Sequence, residues 1–97
     1  MKFEWDPKKN KANQLKHNIS FEEAETVFED ENAIYFFDEL HAIDEDRFII
    51  VGEDTFFREL AVCHCYRGKY DDIIRIISAR KATVNEIRLY ERGIIND

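Results

Sequence analysis

Hydrophobic and polar residues alternate along this chain with two different periods, and each period predicts one kind of element. Residues 2–5 alternate polar and apolar side chains, which predicts a short first strand. Phe21, Ala24 and Val27 recur at helical spacing, which predicts a helix that packs on the core. Later segments rich in β-branched and aromatic residues are expected to be strands, namely 33–37, 47–53, 60–66 and 73–79.

The first predicted helix is defined by its ends more than by an apolar face. Asp6 can cap it, with Pro7 at the first position, where the missing N–H costs no hydrogen bond. We expect it to end near residue 17, with Asn18 as a left-handed stop. Because its apolar content is poor, we expect it to lie on the surface and to present its lysines to solvent or a ligand: Lys8, Lys9, Lys11 and Lys16.

Two further helices are predicted to begin with a capping box, in which a hydroxyl and a carboxylate three residues apart each bond a free helix N–H. Ser20 and Glu23 have this spacing at the start of the second helix, which we expect to end near residue 29. Thr83 and Glu86 have it at the start of the third, which we expect to run to about residue 92 with Gly93 as its stop.

The predicted elements follow the order β-α-α-β-β-β-β-α. Short connections between the last four strands favour hairpins, so we expect an antiparallel meander with the helices packed on one face. A chain of 97 residues has the size of one domain. We therefore predict a single α+β domain over residues 1–97, with an antiparallel β-sheet and three helices.

Charge is distributed unevenly along this acidic chain. The net charge is −7, with +3 in residues 1–17, −12 in residues 18–65 and +2 in residues 66–97. The total argues against a general nucleic-acid binder. If the two basic ends meet in space, however, they form a basic surface on an acidic body.

The sequence predicts a soluble, cytoplasmic chain that makes no contact with a membrane. It has no apolar run of about 18 residues and no charged-then-apolar leader. Cys63 and Cys65 lie too close together to link distant parts of the chain, and we expect both to be reduced. Alternation puts His64 on the opposite face from the two thiols, so we expect core packing there and no metal site.

The last predicted strand runs through a basic turn into a helix start, an arrangement suited to phosphate. Arg75 interrupts four isoleucines, where an unpaired buried charge is costly, so it must face a groove or a carboxylate. A functional guanidinium is our first interpretation, and an ion pair with an acid on a neighbouring strand is the alternative. Regular alternation places Arg75 and Arg80 on opposite faces, so only one of them is expected to face a ligand from the strand.

Several segments of the sequence form an ordered series: Phe3-Glu4-Trp5-Asp6-Pro7, Asn13, Lys16-His17, Ile19-Ser20-Phe21-Glu22-Glu23-Ala24, Val27-Phe28, Asp46-Arg47, Ile74-Arg75-Ile76-Ile77-Ser78-Ala79-Arg80-Lys81-Ala82-Thr83, Glu86, Arg88, Tyr90 and Glu91. This series resembles the BrnT family of bacterial type II toxins across nearly the whole chain. The resemblance implies a RelE-like fold, ribonuclease activity that halts translation, and a cognate BrnA-type antitoxin. It also implies that toxin and antitoxin form a hetero-oligomer and that the antitoxin binds operator DNA.

RNA cleavage by an internal 2′-hydroxyl needs a base, cations that stabilise the phosphorane, and an acid for the leaving oxygen, with no metal or other cofactor required. Arginine suits the cationic role because its planar fork binds phosphate oxygens in pairs. The candidate catalytic residues are Arg75, Arg47, His17 and Lys16, and the candidate RNA-binding residues are Arg67, Arg80, Lys81 and Lys9.

Each candidate also has a structural interpretation. Arg47 can be an edge-strand charge that favours solubility, and His17 can be a favourable contact with a helix C-terminus. Arg80 and Lys81 can belong to an ordinary solvated turn, and Tyr90 to the core. The alternative function is a non-catalytic module that binds its antitoxin through the acidic residues 18–65. Direct DNA binding is less favoured, because no helix-turn-helix or basic recognition helix is present.

Overall fold

The elements of a computed structural model, which describes residues 1–96, follow the predicted order. The strands are β1 (Lys2–Glu4), β2 (Ile34–Phe37), β3 (Phe48–Glu53), β4 (Glu59–Arg67) and β5 (Ile73–Lys81), and the helices are α1 (Pro7–His17), α2 (Phe21–Glu25) and α3 (Val84–Asn96). A 3₁₀ helix, Thr26–Glu29, continues α2. A second, Glu39–His41, lies within residues 38–46, which connect β2 to β3 and which we call the acidic loop. The α+β class and the three helices are confirmed.

The predicted caps are present at the helix starts. The Asp6 carboxylate accepts a hydrogen bond from the Lys8 N–H at 2.9 Å. At α2 the Ser20 hydroxyl and the Glu23 carboxylate form the complete capping box. At α1 the chain leaves the helix through Asn18, whose φ of 58° is left-handed as expected.

The third helix is longer than predicted. Gly93 does not stop it, and α3 continues to Asn96. A glycine inside a helix costs only about 1 kcal/mol relative to alanine. Packing of α3 on the sheet outweighs that cost, so a glycine alone was insufficient to predict the helix end.

The five strands form one sheet in the order β1-β5-β4-β3-β2. Strands β2 to β5 are the predicted antiparallel meander. β1 runs parallel to β5 and pairs Lys2 with Ile73 and Glu4 with Arg75, which makes the sheet mixed. β1 can run parallel because a crossover through α1 and α2, and not a hairpin, connects it to the meander.

The sheet lies between two layers of helix, so the prediction that all helices pack on one face is wrong. One face carries Ile50 and Val62, which pack with Phe21 of α2 in the main core cluster. The opposite face carries Val51 and Ala61, which pack with Tyr90 of α3, so Tyr90 is a core residue. Because β3 and β4 are apolar on both faces, each face needs a cover. None of the described helices is long and apolar enough to cross a membrane.

Candidate nucleic-acid interface

The sheet face covered in part by α3 also carries four arginines, and we call it the arginine face: Arg47, Arg67, Arg75 and Arg80. Along β4 the alternate residues Ala61, Cys63, Cys65 and Arg67 point to this face. Arg80 pairs with Ala61 and Arg75 pairs with Cys65. Arg47 lies two residues before Ile49, which pairs with Cys63. Arg47 and Arg75 therefore share a sheet face.

A β-bulge in β5 places Arg75 and Arg80 on the same side. Cys63 pairs with Ser78, whereas the next β4 residue, His64, pairs with Ile76. Ile77 is the extra residue, and it shifts the alternation by one position. The prediction that Arg75 and Arg80 face opposite sides is wrong, because it assumed a regular strand.

Arg47 and Arg80 line one cavity of about 320 Å³ on the arginine face. Its walls come from β3, β4, β5 and the acidic loop, and they include Asp38, Cys63 and Ser78. Leu40 and His41 also line it, from the loop side. Two arginines, a serine and an aspartate thus line a space large enough for a phosphate group.

Arg80 is held by Glu86 of α3. Its Nη1 and Nη2 donate to the two Glu86 carboxylate oxygens at 2.7 and 3.1 Å. Glu86 also accepts from the Thr83 N–H at 2.8 Å, completing the predicted capping box. Burial opposes ionisation of Glu86, but the hydrogen bonds from Arg80 and Thr83 outweigh it and lower the pKa of this carboxyl. The bidentate pair fixes the Arg80 fork at the cavity wall.

Arg47, which lines this cavity, has an unused donor. Its Nε is buried and has no hydrogen-bond partner among the described residues. The Glu45 Oε1 lies 4.0 Å from Nε, beyond hydrogen-bond distance. The same carboxylate accepts from Arg67, with Nη1 and Oε2 3.0 Å apart. Arg67 is therefore paired, whereas the Arg47 Nε has no acceptor among residues 1–96.

Arg75 forms an ion pair across the parallel strands. Its Nη1 donates to the Glu4 Oε2 at 2.7 Å, and both side chains are partly exposed. This is the neighbouring-strand pair that the sequence left as the alternative for Arg75. Arg75 also lies four β4 positions from Arg80, roughly 13 Å along the strand, so it is not among the residues lining the cavity of Arg47 and Arg80.

The basic side of α1 lies beside the same bulge. A second cavity of about 220 Å³ is lined by Lys9, Lys16 and His17 of α1 and by Ile77 and Ser78 of β5. Ile77 and Ser78 line both cavities. The two basic ends of the chain therefore meet at the β5 bulge, as the charge distribution suggested.

Lys81 lies apart from these groups. It pairs with Leu60, which belongs to the main core cluster on the other face of the sheet, and its side chain is exposed. The structure therefore separates Lys81 from Arg80 and from the cavity.

The thiols and the imidazole of β4 lie on opposite faces. His64 is fully buried and packs edge-on against the Phe28 ring at 4.8 Å, away from Cys63 and Cys65. Burial and the neighbouring Asp38 carboxylate raise the pKa of the Cys63 thiol to about 11, so it is protonated at neutral pH and a poor nucleophile. Among residues 1–96, no group of three or more His, Cys, Asp or Glu side chains is arranged to hold a metal ion.

Comparison with known proteins identifies the family. A model of the ribonuclease toxin BrnT, of type II toxin–antitoxin systems, matches residues 5–86. The chain belongs to the BrnT family. The matched range contains all eight candidate residues of the sequence analysis.

A solved BrnT structure supports the same assignment. The chain is similar to the Brucella abortus ribonuclease toxin BrnT, with a TM-score of 0.66 and 26% sequence identity. The likeness covers 86% of this chain and 97% of the Brucella chain. Curated protein sequences give no match.

Sequence reasoning missed how α1 is attached in this BrnT-family chain. The apolar Leu15 of α1 is 84% exposed, whereas Asn10 and Asn13 are buried. The two asparagines are three positions apart, so they share one face of the helix. That spacing within a lysine-rich helix was the available signal for a polar docking face.

Proposed function

We propose that this chain is a metal-independent endoribonuclease that cleaves RNA through the internal 2′-hydroxyl and thereby arrests translation. One observation carries the proposal: the 320 Å³ cavity on the arginine face and the 220 Å³ cavity beside α1 share Ile77 and Ser78. A single RNA strand crossing the bulge would contact arginines on one side and the lysine-rich helix on the other. Membership of the BrnT family supports ribonuclease activity, and we propose that the toxin domain comprises residues 1–97.

We assign phosphate binding at the scissile position to Arg47 and Arg80. Arg47, whose Nε has no partner among the described residues, and Arg80, whose fork is fixed by Glu86, both line the cavity. Guanidinium groups already in place stabilise the charge that develops on the phosphorane, and they need no reorganisation at the moment of reaction. The internal 2′-hydroxyl attacks the phosphorus, and the bond from phosphorus to the 5′-oxygen breaks. The products are a 2′,3′-cyclic phosphate and a 5′-hydroxyl, so the proton lost by the 2′-oxygen equals the proton gained by the 5′-oxygen and the step balances without a metal or a cofactor.

We assign proton transfer to His17, with Lys16 as a neighbouring cation. His17 is half-buried at the end of α1 and lines the cavity beside Ser78. Histidine can accept the 2′-hydroxyl proton or donate one to the leaving oxygen near neutral pH. Lys9 and Lys16 are exposed on the same helix and are proposed to bind the flanking backbone.

We propose that Arg67 and Arg75 act through their charge on the part of the RNA strand that lies beyond the cavity. Each is paired with a carboxylate and partly exposed, so phosphate would compete with Glu45 or Glu4. Arg75 is proposed to influence catalysis through the field at the cavity. Lys81 is proposed as an outer contact for RNA that continues around the sheet edge.

The partner proposed for this toxin is a BrnA-type antitoxin in the cytoplasm. A type II toxin family implies a protein antitoxin. We propose a hetero-oligomer in which the antitoxin supplies binding to operator DNA. The acidic residues 18–65 offer complementary charge to a basic partner segment.

A non-catalytic antitoxin-binding module is the second candidate function. It is favoured by the ion pairs of the arginine face, since Arg67, Arg75 and Arg80 each have a carboxylate partner within 3.0 Å. In such a module these ion pairs would stabilise the fold, and the arginines would not bind RNA.

Labelled single-stranded RNA incubated with the purified chain in EDTA tests the main proposal. We expect cleavage, products that end in a 2′,3′-cyclic phosphate, and no cleavage of a DNA strand of the same sequence. Arg47→Ala should lower the rate strongly, because the phosphate loses a preorganised donor. Intact RNA together with tight antitoxin binding would favour the module, and activity abolished by EDTA would contradict metal independence.

A further inference from the structure

The Asn13 side chain makes three buried hydrogen bonds, and two of them connect α1 to the sheet. Its Nδ2 donates to the Ala79 carbonyl at 2.9 Å and to the Ile19 carbonyl at 2.9 Å. Its Oδ1 accepts from the Ala79 N–H at 3.1 Å. Asn13 is 7% exposed, so these bonds form away from competing water.

The Asn13 amide makes the hydrogen bonds that a neighbouring strand would make at the open edge of β5. β1 pairs with Ile73 to Arg75, so among residues 1–96 no strand neighbours the outer edge of β5 beyond Arg75. The amide of Asn13 bonds both the N–H and the C=O of Ala79, as a paired strand would. The Asn13 amide therefore fixes the backbone of Ala79 at the open edge of β5, immediately after the bulged residues Ile77 and Ser78.

The residues that flank Asn13 on α1 are the proposed RNA contacts. Lys9 lies one turn before Asn13, and Lys16 and His17 lie one turn after it, so all four share one helix face. Together with Ser78 they line a single cavity. The hydrogen bonds to Ala79 therefore set the distance between this helix face and the bulge.

We propose that Asn13 is a positioning residue for RNA cleavage, acting through α1 and Ala79. It holds Lys9, Lys16 and His17 in register with Ser78 and with the guanidinium of Arg80. This inference rests on the function proposed above and assigns no chemical step to Asn13 itself.

The chemistry of the position requires an amide. Alanine leaves one N–H and two carbonyls of the buried backbone without partners. An ionised aspartate can accept from Ala79 but cannot donate to the two carbonyls, and it places a negative charge beside them. A protonated aspartic acid restores one donor and keeps one acceptor.

Asn10 provides a matched control on the same helix. It is 8% exposed, and its Oδ1 accepts from the Phe21 N–H at 2.8 Å. Its Nδ2 donates to Glu22 at 2.7 Å. Asn10 thus anchors α1 to α2, whereas Asn13 anchors α1 to the bulged strand, although both are buried asparagines.

The test compares Asn13→Ala and Asn10→Ala in RNA cleavage, at a temperature where circular dichroism shows both to be folded. Both should lower Tm. We expect Asn13→Ala to lower kcat/KM by about 10²-fold, the scale of a misplaced reacting group, with a fall in kcat at saturating RNA. Asn10→Ala should keep kcat near the wild-type value. An equal loss in both variants, with an active wild type, would overturn the role of Asn13.

Two further variants give readouts that a purely structural role would leave unchanged. For Asn13→Asp, the ratio of its activity to that of the wild type should rise as pH falls, because the protonated acid regains a donor. If Asn13→Ala does not fold, Asn13→Ser retains one hydrogen-bonding group and should show the same fall in kcat in smaller degree. A pH-independent ratio, or a serine variant with wild-type kcat, would overturn the proposal. A wild-type chain that cleaves no RNA would overturn the proposed function, and this inference with it.

Discussion

Arg75 and Arg80 lie on the same face of β5, although five positions separate them in the sequence. The extra residue, Ile77, shifts the alternation between them. In a regular strand one of the two guanidiniums would point to the opposite face of the sheet, which carries the main core cluster and where an unpaired charge is costly. The bulge thus gathers both arginines on one side, where Arg80 pairs with Glu86 of α3.

Arg80→Ala tests the proposed phosphate site most directly. We expect kcat/KM for RNA to fall by about 10²-fold, because one preorganised donor to the developing charge is lost. Stability should fall by about 1 kcal/mol or less, since the pair with Glu86 is partly exposed. Steady-state cleavage and denaturant unfolding measure the two effects.

Glu86→Gln is the control for Arg80. It breaks the same ion pair and weakens the α3 cap but leaves the guanidinium in place. It should lower Tm and should lower cleavage by less than Arg80→Ala does, because the guanidinium remains but loses the carboxylate that fixes its fork. A loss of cleavage as large as that of Arg80→Ala would show that the ion pair, and not the phosphate contact, matters.

Arg75→Ala and Glu4→Gln separate the two interpretations of Arg75. If Arg75 acts on RNA, its removal lowers cleavage and relieves growth arrest, whereas Glu4→Gln frees the guanidinium and leaves cleavage equal or higher. If Arg75 is structural, both variants lose the same pair and change stability alike. We expect the first pattern, measured by RNA cleavage and by growth on expression, with folding checked by circular dichroism. Normal toxicity of a folded Arg75→Ala variant would remove Arg75 from the site.

Glu45→Gln is expected to increase RNA affinity. Glu45 pairs with Arg67 at 3.0 Å and lies 4.0 Å from the Arg47 Nε, so it competes with phosphate for both groups. The variant should bind single-stranded RNA more tightly in fluorescence anisotropy, with a steeper dependence on salt. Glu31→Gln makes the same change in net charge at an exposed turn residue that lines neither of the two cavities. Equal gains in the two variants would assign the effect to net charge alone.

Local sequence signals predicted the parts of the fold that depend on nearby residues. The capping boxes at Ser20 and Thr83 required only a hydroxyl and a carboxylate three positions apart, and both formed. The bulge at Ile77 was not predictable in this way, because it depends on how β5 pairs with β4. The pairing of Arg75 with Glu4 likewise joins residues 71 positions apart.

The attachment of α1 was missed for a related reason. Its apolar residues gave a weak signal, and a buried asparagine is favourable only where its partners are already fixed. For Asn13 the partner is an open strand edge that exists because β1 ends at Glu4. The candidate site could be predicted as a set of basic residues, but the division between the cavity residues and Lys81 required the sheet register.

His64 makes the stability of the fold depend on pH. The imidazole is fully buried, its Nδ1 lies 3.0 Å from the Val62 carbonyl, and its Nε2 has no partner among the described residues. Burial lowers the pKa of His64 below its ordinary value of 6.5. Between the two pKa values the unfolded chain carries a proton that the folded chain lacks. Stability is therefore fully present above about pH 6.5 and falls as the pH drops toward the folded-state pKa, by about 1.4 kcal/mol for each unit of the shift.

His64→Leu should remove this loss, because leucine fills the buried site without a titrating group. Denaturant unfolding between pH 7.5 and pH 5 measures the slope for both proteins, whatever the variant costs at high pH. His41→Gln removes an exposed histidine from the acidic loop and is the comparison variant for the loss of an imidazole. A wild-type stability that stays level across this range would mean that water reaches the Nε2 of His64. In that case the aromatic cluster around Phe28 would be less closed than the contacts of the ring indicate.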